Sequence, residues 1–262
     1  MLFLLRQIRR KLMKENKIGT YLLYAIGEII LVVVGILIAV SIDDWNGDRK
    51  QKAVEKKYFF NLKNDLLADI EGLNYKLDLA RGKVAASKRI GKLADEGNVG
   101  SLYEFANDMQ DLIFVGEFTP NRNTYEEMLS SGNFSTLKND SLKLKLRALD
   151  QKYIELEDLQ EHMRYDFNVF LEDYEKFVDW SKYYDLGKSD ITNLILVHDS
   201  TYIENNRRKM EQEVLTLFQN KVFPNNIFLL EINYTYDIYS LEETKTQIGE
   251  IIELLDVELS KN

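Results

Sequence analysis

The run YLLYAIGEIILVVVGILIAVSI, residues 21–42, contains 22 residues and one charged side chain, Glu28. As an α-helix rising ~1.5 Å per residue it extends about 33 Å, enough to cross a hydrocarbon core of ~30 Å. A helix that is apolar on every face has no side to give to water, so it must be covered by lipid or protein. Tyr21 and Tyr24 at one end and Trp45 at the other fall where amphipathic rings favour the headgroup boundary. The segment therefore predicts a transmembrane helix over residues 21–42, with the lipid bilayer as its first partner. A cleavable leader ending at the small residues Ala39-Val40-Ser41 is the competing reading, but the run is longer than the ~7–15 residues of a signal core. A buried core helix of a soluble protein is the other.

The flanks divide the chain by charge. The whole carries −9, yet residues 1–44 carry Arg6, Arg9, Arg10, Lys11, Lys14 and Lys17 against Glu15, Glu28, Asp43 and Asp44, a net of +2, which leaves −11 beyond them. Short basic flanks stay in the cytoplasm, whereas long domains translocate largely regardless of charge. Residues 1–20 are accordingly expected as a basic cytoplasmic tail, and residues 43–262 as an acidic extracytoplasmic domain, periplasmic in a Gram-negative cell. Leu2 to Leu5 and Ile8, interleaved with arginines, are compatible either with an amphipathic helix on the inner leaflet or with an unstructured topogenic tail. A domain this acidic lacks the clustered cations that displace counterions from phosphates, so nucleic acid is not an expected partner.

Glu28 is costly inside a bilayer unless it faces protein or water. Ala25, Glu28, Val32, Gly35 and Ala39 recur at steps of three and four, which places them on one helix face. Gly35-x-x-x-Ala39 is a small-xxx-small pair of the kind that lets helix backbones approach. Ala25, Glu28, Gly35 and Ala39 are thus a candidate membrane-helix interface, for a second copy or for another envelope protein. The alternative is that Glu28 reaches the headgroups or is protonated.

Beyond Trp45 the apolar spacing is helical. Leu142, Leu146, Leu149, Tyr153, Leu156, Gln160, Met163, Phe167, Phe170, Tyr174 and Phe177 alternate steps of four and three with one polar interruption, predicting a long helix over residues 140–180. Phe59 through Val84 form a second such seam, and Ile248, Ile252, Leu255 and Leu259 a third. Ser101/Glu104, Thr124/Glu127, Thr201/Glu204 and Ser240/Glu243 have capping-box spacing. Helix stops are expected at residues 97–100, 119–121, 131–133 and 223–226 from their Gly, Pro and Asn content. The best strand signal, residues 193–198, reads as helix or loop. The predicted fold is all-α: one N-terminal transmembrane helix followed by an elongated antiparallel helical bundle, with short helices near residues 101–131 and a long return helix.

Residues 21–46, with Glu15-Asn16-Lys17 before them and Trp45-Asn46 at the exit, resemble the start of an uncharacterised family of single-pass membrane proteins of Bacteroidota, a DUF6090-like domain of unknown function. Residues 124–132, with Leu137 and Asn139, are similar to that family's short helix and glycine turn. The resemblance implies a membrane anchor and transfers no catalytic residue.

The sequence has no cysteine and two histidines, and no zinc, nucleotide or hydrolase motif. Asp158, His162 and Asp166 share a helix side but lie off the apolar seam, where a solvated face is the plainer reading. Trp180, Tyr183, Tyr184 and Phe177 read as core packing or as an aromatic cage. The Ser130-Ser131-Gly132 turn reads as a helix stop or an anion-binding turn. No cofactor and no enzymatic activity are expected. The leading expectation is a membrane-anchored, non-enzymatic helical module for protein interaction in the cell envelope. The other is a ligand-sensing ectodomain acting through a separate signalling partner, since residues 1–20 leave no room for an output domain.

Overall fold

A computed structural model describes residues 18–114, 116–190, 192 and 195–261. The expected basic tail lies almost wholly outside the described residues, including Leu2 to Ile8 and its six cations. Seven α-helices occur among the described residues: α1 (Ile18–Glu96), α2 (Leu102–Ile113), α3 (Asn123–Ser130), α4 (Asn133–Thr136), α5 (Asp140–Tyr174), α6 (Ser200–Gln219) and α7 (Val222–Ser260), with a 3-10 turn at Trp180–Lys182. The chain divides into two compact units, Met1–Lys57 and Tyr58–Asn262. In the first, the described part of α1 has its apolar side chains in the open: from Ile26 to Lys50 every residue is exposed. The second is an all-α bundle.

Three long helices organise that bundle. Asp69 meets Tyr153 and Lys83 meets the ring of Phe167, the same offset along the chain, so α1 and α5 run parallel and in register. Helix α7 is antiparallel to both: Lys63 reaches Asp256 and Lys88 reaches Glu231 across α1, while Lys145 reaches Glu250 and Lys152 reaches Glu243 across α5. The expected long return helix therefore runs with α1. The return is made instead by residues 97–139, which turn out of α1 at Gly97 (φ 61°) and Gly100 (φ 63°), conformations that favour glycine.

The seams read from spacing are buried in α1 and α5 except at the half-buried Ile70, Val84 and Gln160, and α5 ends at Tyr174 so that Phe177 lies past it. Capping differs at three of four sites. Ser101 does accept from the Glu104 amide, but α6 is capped by Asp199, Ser240 lies buried within α7, and Thr124 lies inside α3 with its amide held by Asp65 of α1. The break expected at residues 223–226 falls at Asn220 and Lys221, and Pro224 sits in the first turn of α7, where its missing N–H costs nothing. Of the strand candidate at residues 193–198, the first two lie outside the described residues; Ile195 and His198 form isolated antiparallel bridges with Asp190 and Tyr184.

Two apolar clusters form the core. One joins Leu62, Leu66, Leu73 and Leu77 of α1 to Leu142–Leu156 of α5 and to Ile248 and Leu255 of α7. The other joins Ala86 and Ile90 to α2, to Phe167–Tyr174 and to α6. Gln160, the polar interruption in the α5 seam, explains itself here: its Oε1 accepts from the Phe118 amide at 2.8 Å and its Nε2 donates to the Phe118 carbonyl at 3.1 Å. One side chain thus satisfies both backbone groups of a buried loop residue, as a strand partner would. Replacing Gln160 by Leu leaves both groups unpaired and is expected to lower stability by about 1–3 kcal/mol in chemical denaturation of the full chain; an unchanged midpoint would refute this role.

Candidate functional site

Of the residues singled out in the apolar segment, Glu28, Val32, Gly35 and Ala39 are exposed and Ala25 is half-buried. A Cβ added at Gly35 would meet nothing within 4 Å, so no contact among the described residues requires glycine there. Tyr24 is half-buried and Trp45 exposed, with the Arg49 guanidinium 6.0 Å from its ring centroid; the Tyr21 side chain lies outside the described residues.

The bundle holds a second concentration of chemistry that the sequence reading passed over. Asp69, Lys76 and Lys83 are seven residues apart on α1, and all are buried. At that spacing they form a column on one helix face. Opposite, α7 presents Asp237 and Thr244, again seven apart and both fully buried. The Lys76 Nζ donates to the Gly116 carbonyl at 2.6 Å and lies 3.6 Å from Asp237 Oδ2. The Lys83 Nζ donates to the Leu112 carbonyl at 2.6 Å and stands 4.9 Å from the Tyr234 ring centroid. Lys83 therefore fastens the last turn of α2 and Lys76 the segment that follows it. Gly116 comes so close to α1 that a Cβ there would lie 2.4 Å from Leu79 Cδ1.

The electrostatics follow from burial. Loss of hydration, then the neighbouring Lys76 charge, push the Lys83 ammonium down to about 7, against the pull of Asp111 and Asp237. Burial likewise raises the Asp237 carboxyl, opposed by Lys76 and Lys83. Farther along the column, burial raises Asp69, while a 2.6 Å bond from the Tyr153 hydroxyl and one from the Asn121 amide hold it down. Asp65, one turn away, accepts from the Asn121 side chain and from the Thr124 amide. Two carboxylates of α1 thus fix the start of α3.

The residues of the second sequence resemblance have matching structural tasks. Gly132 has φ 77° at the turn between α3 and α4, Leu137 is buried, and Asn139 caps α5 by accepting from the Leu142 amide at 3.0 Å. The profile of one protein family, described as a family of unknown function (DUF6090), matches residues 28–177, more than half of the chain. The chain belongs to the DUF6090 family. No curated protein and no solved structure matches it. The DUF6090 match begins at Glu28 and takes in Asp69, Lys76, Lys83 and Gln160, whereas Asp237 lies beyond it.

Other candidates resolve into structure. His162 and Asp158 are exposed, Asp166 accepts from Asn233, and no group of three or more potential metal ligands occurs among the described residues. Trp180, Tyr183 and Tyr184 pack edge and face within the second apolar cluster, 5.1 Å between the Trp180 and Tyr183 centroids. The Ser130 and Ser131 hydroxyls donate back to the Glu127 carbonyl, which ends α3.

The Lys83 shift makes a pH prediction with a definite sign. Between about 7 and the ordinary lysine value, the unfolded chain holds a proton that the folded chain has released, so stability rises with pH across that window and is lowest below it. Lys83→Met should remove this rise and stabilise the protein at pH 6 by about 1–4 kcal/mol, less at pH 10. Denaturation midpoints across pH check it; a parallel profile for the variant would contradict it.

Proposed function

We propose that this DUF6090 protein is a membrane-anchored, non-enzymatic helical module that binds another envelope protein, or a second copy of itself. The observation that carries the reading is the unburied state of the apolar part of α1: residues 26–50 are exposed throughout, and the most apolar 18-residue window of the helix has none of its residues buried within the chain. Surface of that kind requires lipid, and its length suits one crossing. Gly35 adds the interaction. A glycine inside a helix costs roughly 0.5–1 kcal/mol relative to alanine, and contact with a neighbouring helix is a reason for it that lies outside this chain. Glu28 shares that face, where a partner can shield it from lipid.

In this reading the short basic tail stays in the cytoplasm and the bundle lies outside, in the periplasm of a Gram-negative cell. The folded bundle then offers exposed apolar side chains on α7, among them Phe228, Ile232, Tyr236 and Tyr239, as a further contact surface. A ligand-sensing ectodomain is the second reading, favoured by the buried ionisable column, since groups of that type couple occupancy and protonation to helix packing.

The chain has no cysteine, so single introduced cysteines report contact cleanly. A cysteine at Gly35 should give a disulfide-linked dimer or a cross-linked partner in native membranes, a cysteine at Leu37 on the opposite face should not, and Gly35→Leu should abolish capture. Equal cross-linking at both positions would sink the interface. Protease added to spheroplasts should degrade the bundle; complete protection would reverse the orientation.

A further inference from the structure

Between α1, the segment after α2, α5 and α7 lies a cavity of about 30 Å³, lined by Lys76, Lys83, Gly116, Gln160, Arg164 and Tyr234 among others. It has room for roughly one or two water-sized bodies. Its charges are unevenly satisfied. Arg164 is taken by Glu117, which also lines the cavity, and Lys76 is taken by the Gly116 carbonyl and Asp237. Lys83 is 3% exposed, and among the described residues it meets a carbonyl and two ring faces. Among the described residues no carboxylate lies within ion-pair distance of it; Asp111 and Asp237 act on it from farther off.

We propose that this cavity is a binding site for one small monovalent anion, of chloride or formate size, held by the Lys83 ammonium. A buried charge is stable only when paired and hydrogen-bonded, and an ammonium that gives one N–H to Leu112 has further donors to give. The space beside the ammonium suits an anion of that size. The charged groups facing Lys83 are Lys76 on α1, Asp111 and Glu117 on and after α2, Arg164 on α5, and Asp237 with Tyr234 on α7. The two lysines and the arginine outnumber the carboxylates that touch the cavity. An anion beside the ammonium favours its protonated form, so anion uptake and proton uptake are linked. Affinity should fall as Lys83 loses its proton above about pH 7. This site is independent of any membrane partner.

The test uses the full-length chain in detergent, with chloride as the probe and the bulkier, weakly coordinating gluconate as the comparison ion at equal ionic strength. Chloride should raise the unfolding midpoint at pH 6 relative to gluconate. It should also broaden the chloride-35 resonance, with formate competing. Because only the protonated fraction binds, half-saturation at pH 9 should need at least roughly tenfold more chloride than at pH 6. Lys83→Met should lose the effect, and Lys88→Met, an exposed lysine on the same helix, should keep it. Equal midpoints in the two salts at pH 6, or a chloride effect that survives in Lys83→Met, would overturn the site. Should Lys83→Met fail to fold, broadening of the wild-type signal that is the same at pH 6 and pH 9 overturns it equally.

Discussion

The placement of Lys76 and Lys83 against Asp237, between two apolar clusters, is the constraint on which the bundle depends. Leucine seams alone on α1, α5 and α7 repeat closely enough that a slip of seven residues would still put apolar against apolar. A buried charge does not tolerate the slip. Moving α7 by one heptad so that Thr244 takes the place of Asp237 would leave the buried Lys76 ammonium without its carboxylate, which costs several kcal/mol. Polar residues on a helix seam fix register in this way, at some expense in stability. The Gln160 clasp on Phe118 and the Asp69–Tyr153 bond act in the same sense between α1, α5 and the loop.

The same groups hold the connection that makes the topology work. Residues 97–139 must bring the chain back so that α5 can start beside the N-terminal end of the bundle part of α1 and run parallel to it. That connection contains only short helices, and its backbone is pinned from below: Leu112 by Lys83, Gly116 by Lys76, Phe118 by Gln160, Asn121 by Asp69 and Thr124 by Asp65. Five side chains from two long helices satisfy six backbone groups in a stretch of short helices and turns. This explains why so much polar chemistry lies inside a helical bundle.

How much of this was legible in the sequence varies by kind of residue. The seams were legible because spacing of three and four is a local property of an α-helix, and Leu62, Leu66, Leu73 and Leu77 on α1, like Leu142 through Tyr174 on α5, are buried as that spacing requires. Asp69, Lys76 and Lys83 were not, because a charged residue beside a seam reads as solvated face, which is correct far more often than not. The heptad interval between them was the available signal. Capping boxes at Thr124, Thr201 and Ser240 failed for a related reason: a nearby carboxylate or a longer continuous helix supersedes a local motif. Gln160 was visible as an exception, but nothing in its neighbourhood named Phe118, 42 residues earlier, as its partner.

The sequence by itself determined that α1 begins with a segment no water-facing helix can be, that the remainder is helical, and where its apolar faces lie. These follow from composition and period within a few turns of chain. Only the tertiary structure decided that α5 runs parallel to α1, that the connection is pinned from beneath, and that Lys76 meets Asp237 across 161 residues of sequence. Such pairings depend on where separate helices come to rest, and burial, not residue type, turns an ordinary lysine into one poised near neutrality.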